Sequence, residues 1–371
     1  MGKNIVICCD GTDNKLTIYK NTNVIHLFSC LKNNDTQITY YNPGVGTIAP
    51  DNYRNKIKRM WYKINDLITA TSLEENVADA YIYLMNQYQD GDQIYLFGFS
   101  RGAYTVRMLS GLIEMFGLLH KGNERHLRHV IKTYSQVDEK FDLAEMFKGR
   151  FSRPVKIRFI GVWDTVVSVG GLIRYYTSFP YTYQLKIAGT VRHAVAIDER
   201  RKHYKFSRIN SDLQDRKEVF FAGVHSDVGG SYPEEESGLS KITLEWMLGE
   251  ASHCDLKLEY LKVQKYLYGK GENARYQKPD YKQKIHNSLT LLFILSDFIP
   301  RLRFKKGGWF FNMKIDFRLW PKRTIPNNAM IHESVFNKIV DKDSKPTYQP
   351  SNINLTNNYV KVENREIIYH D

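Results

Sequence analysis

The most informative segment of the chain is residues 94–103, which read Ile94-Tyr95-Leu96-Phe97-Gly98-Phe99-Ser100-Arg101-Gly102-Ala103. Its first four residues are apolar and predict a short buried strand, and the small and apolar residues after Gly102 predict a helix running towards Phe116. Gly98 and Gly102 flank Ser100 in a G-x-S-x-G pattern. This setting predicts a strained turn that projects Ser100 above a sheet, because a side chain at either glycine would collide with the neighbouring strand or helix. Ser100 is the candidate nucleophile, and a structural serine in a glycine-rich turn is the alternative.

Strand-like apolar runs alternate with helical patterns around this segment. The predicted strands are Ile5–Cys9, Gln37–Tyr41, Ile94–Gly98, Val155–Val162, Ala194–Ile197 and Glu218–Val224. A helix is predicted over Leu73–Tyr88, with Ser72 and Glu75 as a capping box at its start. This alternation predicts a mostly parallel central sheet with helices on both faces, and together with the Ser100 turn it predicts the α/β-hydrolase fold.

The length and composition suit one large domain or a domain with an added subdomain. The chain has 371 residues, of which 42% are hydrophobic, so it can bury a substantial core. From about Lys257 the sequence becomes more basic and shows little strand–helix alternation. We therefore expect an α/β-hydrolase core over residues 1–256 and a basic, aromatic-rich C-terminal subdomain, packed on that core, over residues 257–371.

Two later strands end in residues that could assist Ser100. A serine nucleophile needs a base, and the base needs an orienting acid. Asp164 follows the strand predicted to end at Val162, and His225 follows the strand predicted to end at Val224. The chain order Ser, acid, His is the order of the α/β-hydrolase fold. Asp198 and Asp227 are alternative acids, although Asp227 is expected to brace its own loop. The competing histidines are His193, His203, His286 and His332.

Backbone amides are the candidates for an oxyanion hole. The N–H of Arg101 follows the nucleophile, and the second donor is expected from the loop after the first strand, where Gly11 and Thr12 lie. Residues 10–13, Asp-Gly-Thr-Asp, also allow a metal-binding interpretation, but their spacing falls short of an EF-hand pattern. We expect no metal and no cofactor.

The net charge limits the partners that the chain is expected to have. It is +13, from 53 Lys and Arg against 40 Asp and Glu, and it indicates an acidic partner: nucleic acid, an anionic membrane or an anionic substrate. The first apolar run is too short for a signal peptide, and no window reaches the ~18 apolar residues of a membrane span. A cytoplasmic, soluble chain is therefore expected. The four cysteines, Cys8, Cys9, Cys30 and Cys254, lack zinc spacing and are expected to be reduced core thiols.

A basic, aromatic segment lies between Pro300 and Ile325. It holds eight Lys or Arg and one acid, Asp316, with interleaved aromatic residues. One interpretation is a subdomain with core aromatics and solvated charges. Another is peripheral contact with an anionic membrane, since basic residues and aromatics both favour such a surface. The candidate contacts are Lys305, Lys306, Trp309, Phe310 and Phe311. Nucleic-acid binding is a third interpretation, but no RNA-binding motif is present, and we predict no nucleic-acid partner.

Several sequence blocks together resemble a known family. They are Asp10-Gly11-Thr12, residues 42–47 (Asn-Pro-Gly-Val-Gly-Thr), residues 97–103, residues 161–166 (Gly-Val-Trp-Asp-Thr-Val), residues 223–230 (Gly-Val-His-Ser-Asp-Val-Gly-Gly), residues 286–290 and residues 331–335. In this order they resemble the α/β-hydrolase domain family that includes the first class of bacterial type VI secretion lipase effectors. The resemblance covers roughly residues 4 to 335.

The resemblance implies a Ser–Asp–His triad made of Ser100, Asp164 and His225, and hydrolysis of phospholipid acyl esters. It also implies export by a signal-independent secretion system and a secretion-apparatus or immunity protein as a partner. Two other functions stay open: an esterase or thioesterase for small soluble substrates, and a binding module that keeps the fold without turnover.

Overall fold

The protein is described by a computed structural model. It covers residues 2–11, 20–44, 70–134, 141–166, 179–201, 204, 206–210, 214–271, 275–289, 322–341, 347–354 and 357–370. The strands in these residues are β1 (Asn4–Cys9), β2 (Gln37–Asn42), β3 (Gln93–Phe99), β4 (Leu118–Leu119), β5 (Ser152–Arg153), β6 (Ile157–Trp163), β7 (Ala188–Ala196), β8 (Arg216–Phe221), β9 (Met330–His332) and β10 (Val360–Val362). The α-helices are α1 (Asn23–Cys30), α2 (Ala70–Gln87), α3 (Arg101–Phe116), α4 (Glu124–Tyr134), α5 (Phe141–Phe151), α6 (His225–Gly229), α7 (Gly238–Ser252), α8 (Tyr260–Tyr266) and α9 (Glu333–Val340).

Eight of the strands form a single parallel sheet. Its order is β10-β9-β8-β7-β6-β3-β1-β2, and every neighbouring pair runs parallel. The strands β4 and β5 form a separate antiparallel pair. The predicted parallel sheet is confirmed, and the α/β-hydrolase fold puts the carboxyl ends of β3, β6, β7 and β8 along one edge.

Alternate residues of β1 show that helices cover both faces of the sheet. Ile5, Ile7 and Cys9 belong to a core shared with α2, α3 and α4. Val6 and Cys8 belong to a second core on the other face, shared with α1 and α7. Two-sided burial explains why β1 reads as a continuous apolar run. All four cysteines are buried and free, as predicted.

The strand β7 is longer than predicted. The apolar pattern predicted Ala194–Ile197, but the strand is nine residues long and begins at Ala188. Its middle holds Arg192, whose side chain is 3% exposed and pairs with the fully buried Glu250 at 2.6 Å. A charged residue that is buried with a partner on a distant helix resembles a loop residue when only the sequence is considered. A prediction based on hydrophobicity therefore made the strand too short.

The chain after residue 256 contributes to the same sheet. Strands β9 and β10 extend it beyond β8, and α8 packs against α1. The predicted division into residues 1–256 and 257–371 stays a prediction, but it does not separate two sheets. Among the described residues, no helix has the length and apolar character needed to cross a membrane.

The start of α2 differs from its prediction. The helix begins at Ala70, so Ser72 lies inside its first turn and does not cap it. The predicted capping box is therefore wrong.

The Ser100 turn stacks directly on the end of β1. A Cβ added to Gly102 would lie 2.1 Å from the carbonyl oxygen of Cys9, and one added to Gly98 would lie 2.5 Å from the carbonyl oxygen of Gly102. Both distances are far shorter than any real Cβ contact, and both neighbours are backbone atoms that cannot move aside. The two glycines therefore let the strand, the turn and α3 approach as closely as they do.

A pair of Gly→Ala substitutions tests this close approach. G102A should lower the free energy of unfolding by about 3 kcal/mol, at the upper end for overpacking, because backbone must shift to admit the methyl group. G149A is the matched control, because Gly149 lies in α5 and an added Cβ meets nothing within 4 Å. It should raise stability by up to about 1 kcal/mol through helix propensity. Urea unfolding of both variants measures the difference, and equal stabilities would contradict the packing argument.

Candidate active site

Ser100 lies at a strained turn between β3 and α3. Its φ is 59° and its ψ is −119°, a conformation that costs a non-glycine residue about 1–3 kcal/mol. Its N–H donates to the carbonyl of Trp163 at 3.1 Å, and its carbonyl accepts from Tyr104 at 3.3 Å. The residue is only partly buried. The predicted strand–turn–helix is thus observed, and it presents Ser100 at the carboxyl edge of the sheet.

Asp164 follows β6, the strand next to β3. Its side chain is fully buried and its φ is 37°. The N–H of Asp164 donates to the carbonyl of Ala194 at 2.7 Å, and its Oδ1 accepts from the N–H of Ala196 at 3.0 Å. The neighbouring strand β7 therefore fixes both the backbone and the carboxylate of Asp164.

His193 supports the same turn from below. It lies inside β7, not before a strand as the sequence suggested, and it is fully buried. Its Nε2 accepts from the N–H of Thr165 at 3.1 Å, and its Nδ1 faces the Glu218 carboxylate at 3.1 Å. This arrangement requires the proton on Nδ1. His193 therefore has a structural role and does not compete for the role of base.

His225 begins α6 and contacts Asp164. Its Nδ1 lies 2.5 Å from Oδ2 of Asp164. Its ring packs on Phe99, the residue before Ser100, with centroids 4.6 Å apart, and Tyr204 meets it edge-on at 4.8 Å. The structure thus brings the predicted acid and the predicted base together, beside the turn that carries Ser100.

The pKa shifts of this pair assign its proton. Burial lowers the pKa of His225, and the Asp164 carboxylate offsets part of that effect. Burial alone would raise the pKa of Asp164, but the positive charge of Arg323 and the hydrogen bond to His225 hold that pKa well below its usual range. An ionised Asp164 accepts the proton on Nδ1 of a neutral His225, so Nε2 is the nitrogen available as a base.

Arg323 was not predicted as a site residue, yet it contacts both carboxylate oxygens of Asp164. Its Nη1 donates to Oδ1, and its Nη2 donates to Oδ2 at 3.0 Å. The sequence placed Arg323 among the charges of the basic segment. Its separation of 159 residues from Asp164 leaves no local signal that could single it out.

A second carboxylate, Glu199, holds the backbone of His225. Its Oε2 accepts from the N–H of His225 at 3.1 Å. Arg201 pairs with the same carboxylate at 2.8 Å and stacks on the ring of Tyr204, and Ser288 donates to it at 3.1 Å. Although burial raises the pKa of Glu199, the hydrogen bonds and charge of Arg201 lower it to about 2. Glu199 therefore stays ionised at all ordinary pH values.

The alternative acid Asp198 makes different contacts. Its Oδ2 accepts from the N–H of Gly223 at 2.7 Å and from the hydroxyl of Tyr348 at 2.8 Å. It lines a cleft of about 350 Å³ whose lining includes none of the three candidate catalytic residues. Burial raises the pKa of Asp198 to about 6. The described side-chain contacts of Asp198 are with these two groups, whereas Asp164 contacts His225 directly, so Asp198 is a weaker acid candidate than Asp164.

The alternative acid Asp227 braces its own loop, as predicted. Its Oδ2 accepts from the N–H of Val224 at 2.9 Å, and its Oδ1 lies 2.6 Å from Nδ1 of His286. Of the other competing histidines, His332 accepts from the N–H of Ser334 at the start of α9. His203 lies outside the described residues.

The predicted oxyanion donors are only partly described. Arg101 occupies the first position of α3, directly after Ser100. The N–H of Gly11 donates to Oδ1 of Asp10 at 2.7 Å, and Thr12 lies outside the described residues. Lys305, Lys306, Trp309, Phe310 and Phe311, the predicted membrane contacts, also lie outside them.

The loop after β1 does not resemble a metal site in its described part. Asp10 accepts from the hydroxyls of Thr22 at 2.6 Å and Tyr41 at 3.0 Å. Its oxygens therefore serve protein donors. Within the described ranges, no group of three or more His, Cys, Asp or Glu residues could hold a metal ion.

Comparisons with known proteins bear on this site. A family model described as "T6SS, Phospholipase effector Tle1-like, catalytic domain" matches residues 3–250. A protein of Saccharomyces cerevisiae, printed as "Uncharacterized protein YEL023C", is 40% identical over 225 residues, which is 55% of this chain and 32% of that protein. This chain therefore spans about a third of that relative's length.

Two solved structures are also similar. An uncharacterized protein from Pseudomonas aeruginosa shares 19% identity at a TM-score of 0.42, over 69% of this chain and 47% of that chain. The Tle1 effector bound to the VgrG spike of the type VI secretion system shares 18% identity at a TM-score of 0.37, over 64% of this chain and 52% of that chain. This chain spans about half of each.

The ionised state of Glu199 yields a prediction about stability. Its folded pKa of about 2 lies below the ordinary value of 4.5, so its contribution is present above pH 4.5 and is lost as the pH falls towards 2. The shift corresponds to about 3 kcal/mol. E199Q should therefore be less stable than the wild type by about that amount at pH 7, and the difference should shrink below pH 4.5.

Urea unfolding at a series of pH values measures this difference. E363Q is the control, because Glu363 is exposed. This substitution should leave the dependence of stability on pH unchanged. A constant difference between E199Q and the wild type from pH 7 to pH 3 would show that the Glu199 charge does not stabilise the fold.

Proposed function

We propose that this chain, which belongs to the family of type VI secretion Tle1-like phospholipase effector catalytic domains, is a serine hydrolase that cleaves phospholipid acyl esters. One observation carries the chemistry: the hydrogen bond of 2.5 Å between His225 and a buried, ionised Asp164, beside the strained turn at Ser100. The family match supports the substrate class. The proposed type of activity is phospholipase A.

The proposed reaction uses the three side chains in sequence. The Ser100 hydroxyl attacks the ester carbonyl while Nε2 of His225 takes its proton, and Asp164 stabilises the imidazolium that forms. The C–O bond to the alcohol breaks, His225 returns the proton to the leaving alkoxide, and an acyl-Ser100 remains. Water, deprotonated by His225, then releases the fatty acid and restores Ser100. The reaction needs no cofactor.

The proposed oxyanion hole uses backbone N–H groups. The amide of Arg101 follows Ser100 at the start of α3, where it and the helix dipole would stabilise the negative charge that develops on the ester oxygen. Since the Gly11 amide already donates to Asp10 at 2.7 Å, Thr12 is the better of the two candidates for the second donor.

The proposed substrate lies in a membrane, and the charge of the chain fits that. The net charge of +13 would concentrate the protein at an anionic bilayer. We propose that Lys305, Lys306 and the aromatic residues at 309–311 contact that surface peripherally. Export through a secretion apparatus, with that apparatus or an immunity protein as a partner, is also a proposal that rests on the family.

Two other functions predict different experimental results. An esterase or thioesterase for soluble substrates would use the same three residues but would prefer monomeric over vesicular substrates. A binding module would not react with a fluorophosphonate at Ser100. The ionised Asp164–His225 pair favours catalysis, because a binding module needs no buried acid and base at this edge.

Replacing the nucleophile is the direct test. S100A should reduce fatty-acid release from defined phospholipid vesicles to background and abolish fluorophosphonate labelling. D164N should lower kcat by about 10⁴-fold, because an amide stabilises the wrong imidazole tautomer. Mass spectrometry of the released products identifies the acyl position that is cleaved.

S110A is the matched control for S100A. Ser110 lies in α3, the helix that follows Ser100, and its buried hydroxyl has no hydrogen-bond partner among the described residues. S110A should therefore keep the wild-type rate and labelling. If S100A released fatty acid at the rate of S110A, the proposed function would be wrong.

The membrane proposal has a separate test. The double variant K305E/K306E changes the charge by four, and each nearby basic residue contributes about 1 kcal/mol to binding at an anionic surface. Its activity on anionic vesicles should fall by more than about tenfold, while its activity on a monomeric soluble ester should not change. Equal activity of variant and wild type on the vesicles would remove these residues from the membrane contact.

A further inference from the structure

The carboxylate of Asp164 is held by donors from three separate parts of the chain. Oδ1 accepts from the N–H of Ala196 and from Arg323, and Oδ2 accepts from His225 and Arg323. Each oxygen thus receives two donors, and the guanidinium contributes one to each. This two-pronged geometry is specific to arginine and fixes the plane of the carboxylate as well as its charge.

Arg323 is itself held in place. Its Nη1 also donates to the carbonyl of Ala196 at 2.9 Å, and its Nη2 to the carbonyl of Tyr204 at 3.1 Å. Its own carbonyl accepts from Asn352, which also donates to Ile197 at the end of β7. The Arg323 side chain is 8% exposed. A buried guanidinium with this many partners cannot rotate away without leaving Asp164 uncompensated.

Arg323 lies outside the part of the chain that the family model matches, which ends at residue 250. Asp164 and His225 lie inside it. The pair of acid and base is therefore completed by a residue from the C-terminal segment.

We propose that Arg323 is a positioning residue that keeps Asp164 ionised and correctly oriented, and thereby sets the pH at which His225 becomes a competent base. This inference rests on the proposed function. Arg323 contacts both carboxylate oxygens of Asp164, so its proposed action is through the acid.

The charge of Arg323 has a definite consequence for the pair. Asp164 and Arg323 together carry no net charge, so the field that favours a proton on His225 is weaker than that of a lone buried carboxylate. The other charged groups that face His225 are Arg201, which disfavours the imidazolium, and Glu199, which favours it. Removing the positive charge of Arg323 leaves two carboxylates against one arginine. The coupled pair must then take up its first proton at a higher pH, whichever partner holds it.

Two variants separate the charge of Arg323 from its geometry. R323Q loses the charge, so the acid limb of its kcat/KM profile should move to higher pH. R323K keeps a charge but not the two-pronged contact, so its limb should stay close to that of the wild type. Its kcat should fall by up to about 10²-fold through misalignment of the acid and base. KM should be unchanged in both variants. Rates are divided by the amount of Ser100 that a fluorophosphonate labels, so that unfolded protein is excluded from the enzyme concentration.

R158M is the matched control. Arg158 lies on β6, the strand that leads to Asp164, but near its other end, in a surface pair with Asp255 at 3.0 Å. It should leave both the pH profile and kcat unchanged. The proposal would be overturned if the acid limb of the kcat/KM profile moved equally in R158M and R323Q. It would also be overturned if the kcat/KM profile of R323Q were identical to that of the wild type, or if the loss in R323K appeared entirely in KM.

Histidine NMR keeps the test independent of turnover. The ¹⁵N shifts of His225 in the full chain should show first protonation of the pair at higher pH in R323Q than in the wild type. If the wild type hydrolyses no ester, the proposed function fails, but this titration still decides on Arg323. If R323Q does not fold, R323K decides: a wild-type kcat in R323K would refute positioning, and a lower kcat at unchanged KM would support it.

Discussion

The buried charge of Asp164 is the constraint on which the carboxyl edge of the sheet depends. An isolated carboxylate with no exposed surface would neutralise instead of remaining ionised. It stays charged here because donors arrive from β7, from the start of α6 and from Arg323 near the C-terminus. The register of β6 against β7, the position of His225 and the course of the C-terminal segment must all be correct at once. An ionised Asp164 therefore requires all of these parts of the structure to form together.

Backbone strain is shared by the candidate nucleophile and the candidate acid. Ser100 and Asp164 are two of the six described non-glycine residues with positive φ, and the N–H of Ser100 donates to the residue just before Asp164. Such conformations persist only where the surroundings over-determine them. The close approach of Gly102 to the end of β1, and of Gly98 to Gly102, provides that support. The conformation of the Ser100 turn is thus set by its packing and hydrogen bonds within the sheet.

The sequence predicted the parts of the site that local pattern encodes, and missed those that depend on distant contacts. Ser100, Asp164 and His225 each follow a recognisable strand, so a strand-end rule finds them. Arg323 lies in a run of similar charges, and nothing local distinguishes it from its neighbours. The length of β7 was missed for a related reason, because the buried charge of Arg192 is compensated by Glu250 on α7 and by Asp215. Charge pairs between residues that are far apart in the sequence leave no mark on its hydrophobic periodicity.

Two Asp–His pairs each have one member on α6, His225 in one and Asp227 in the other, and only the first leaves a ring nitrogen free of carboxylates. His286 has Asp227 at 2.6 Å from Nδ1 and Glu236 at 2.9 Å from Nε2. Because both nitrogens face carboxylates, both must donate, and the hydrogen bonds to these carboxylates raise the pKa of His286. A ring with both nitrogens protonated and engaged cannot accept a proton. His225 has a carboxylate at Nδ1 alone, and burial lowers its pKa, so its neutral form keeps one nitrogen to act as a base. The number of carboxylates around the ring, not the presence of an Asp–His pair, distinguishes His286 from the candidate base His225.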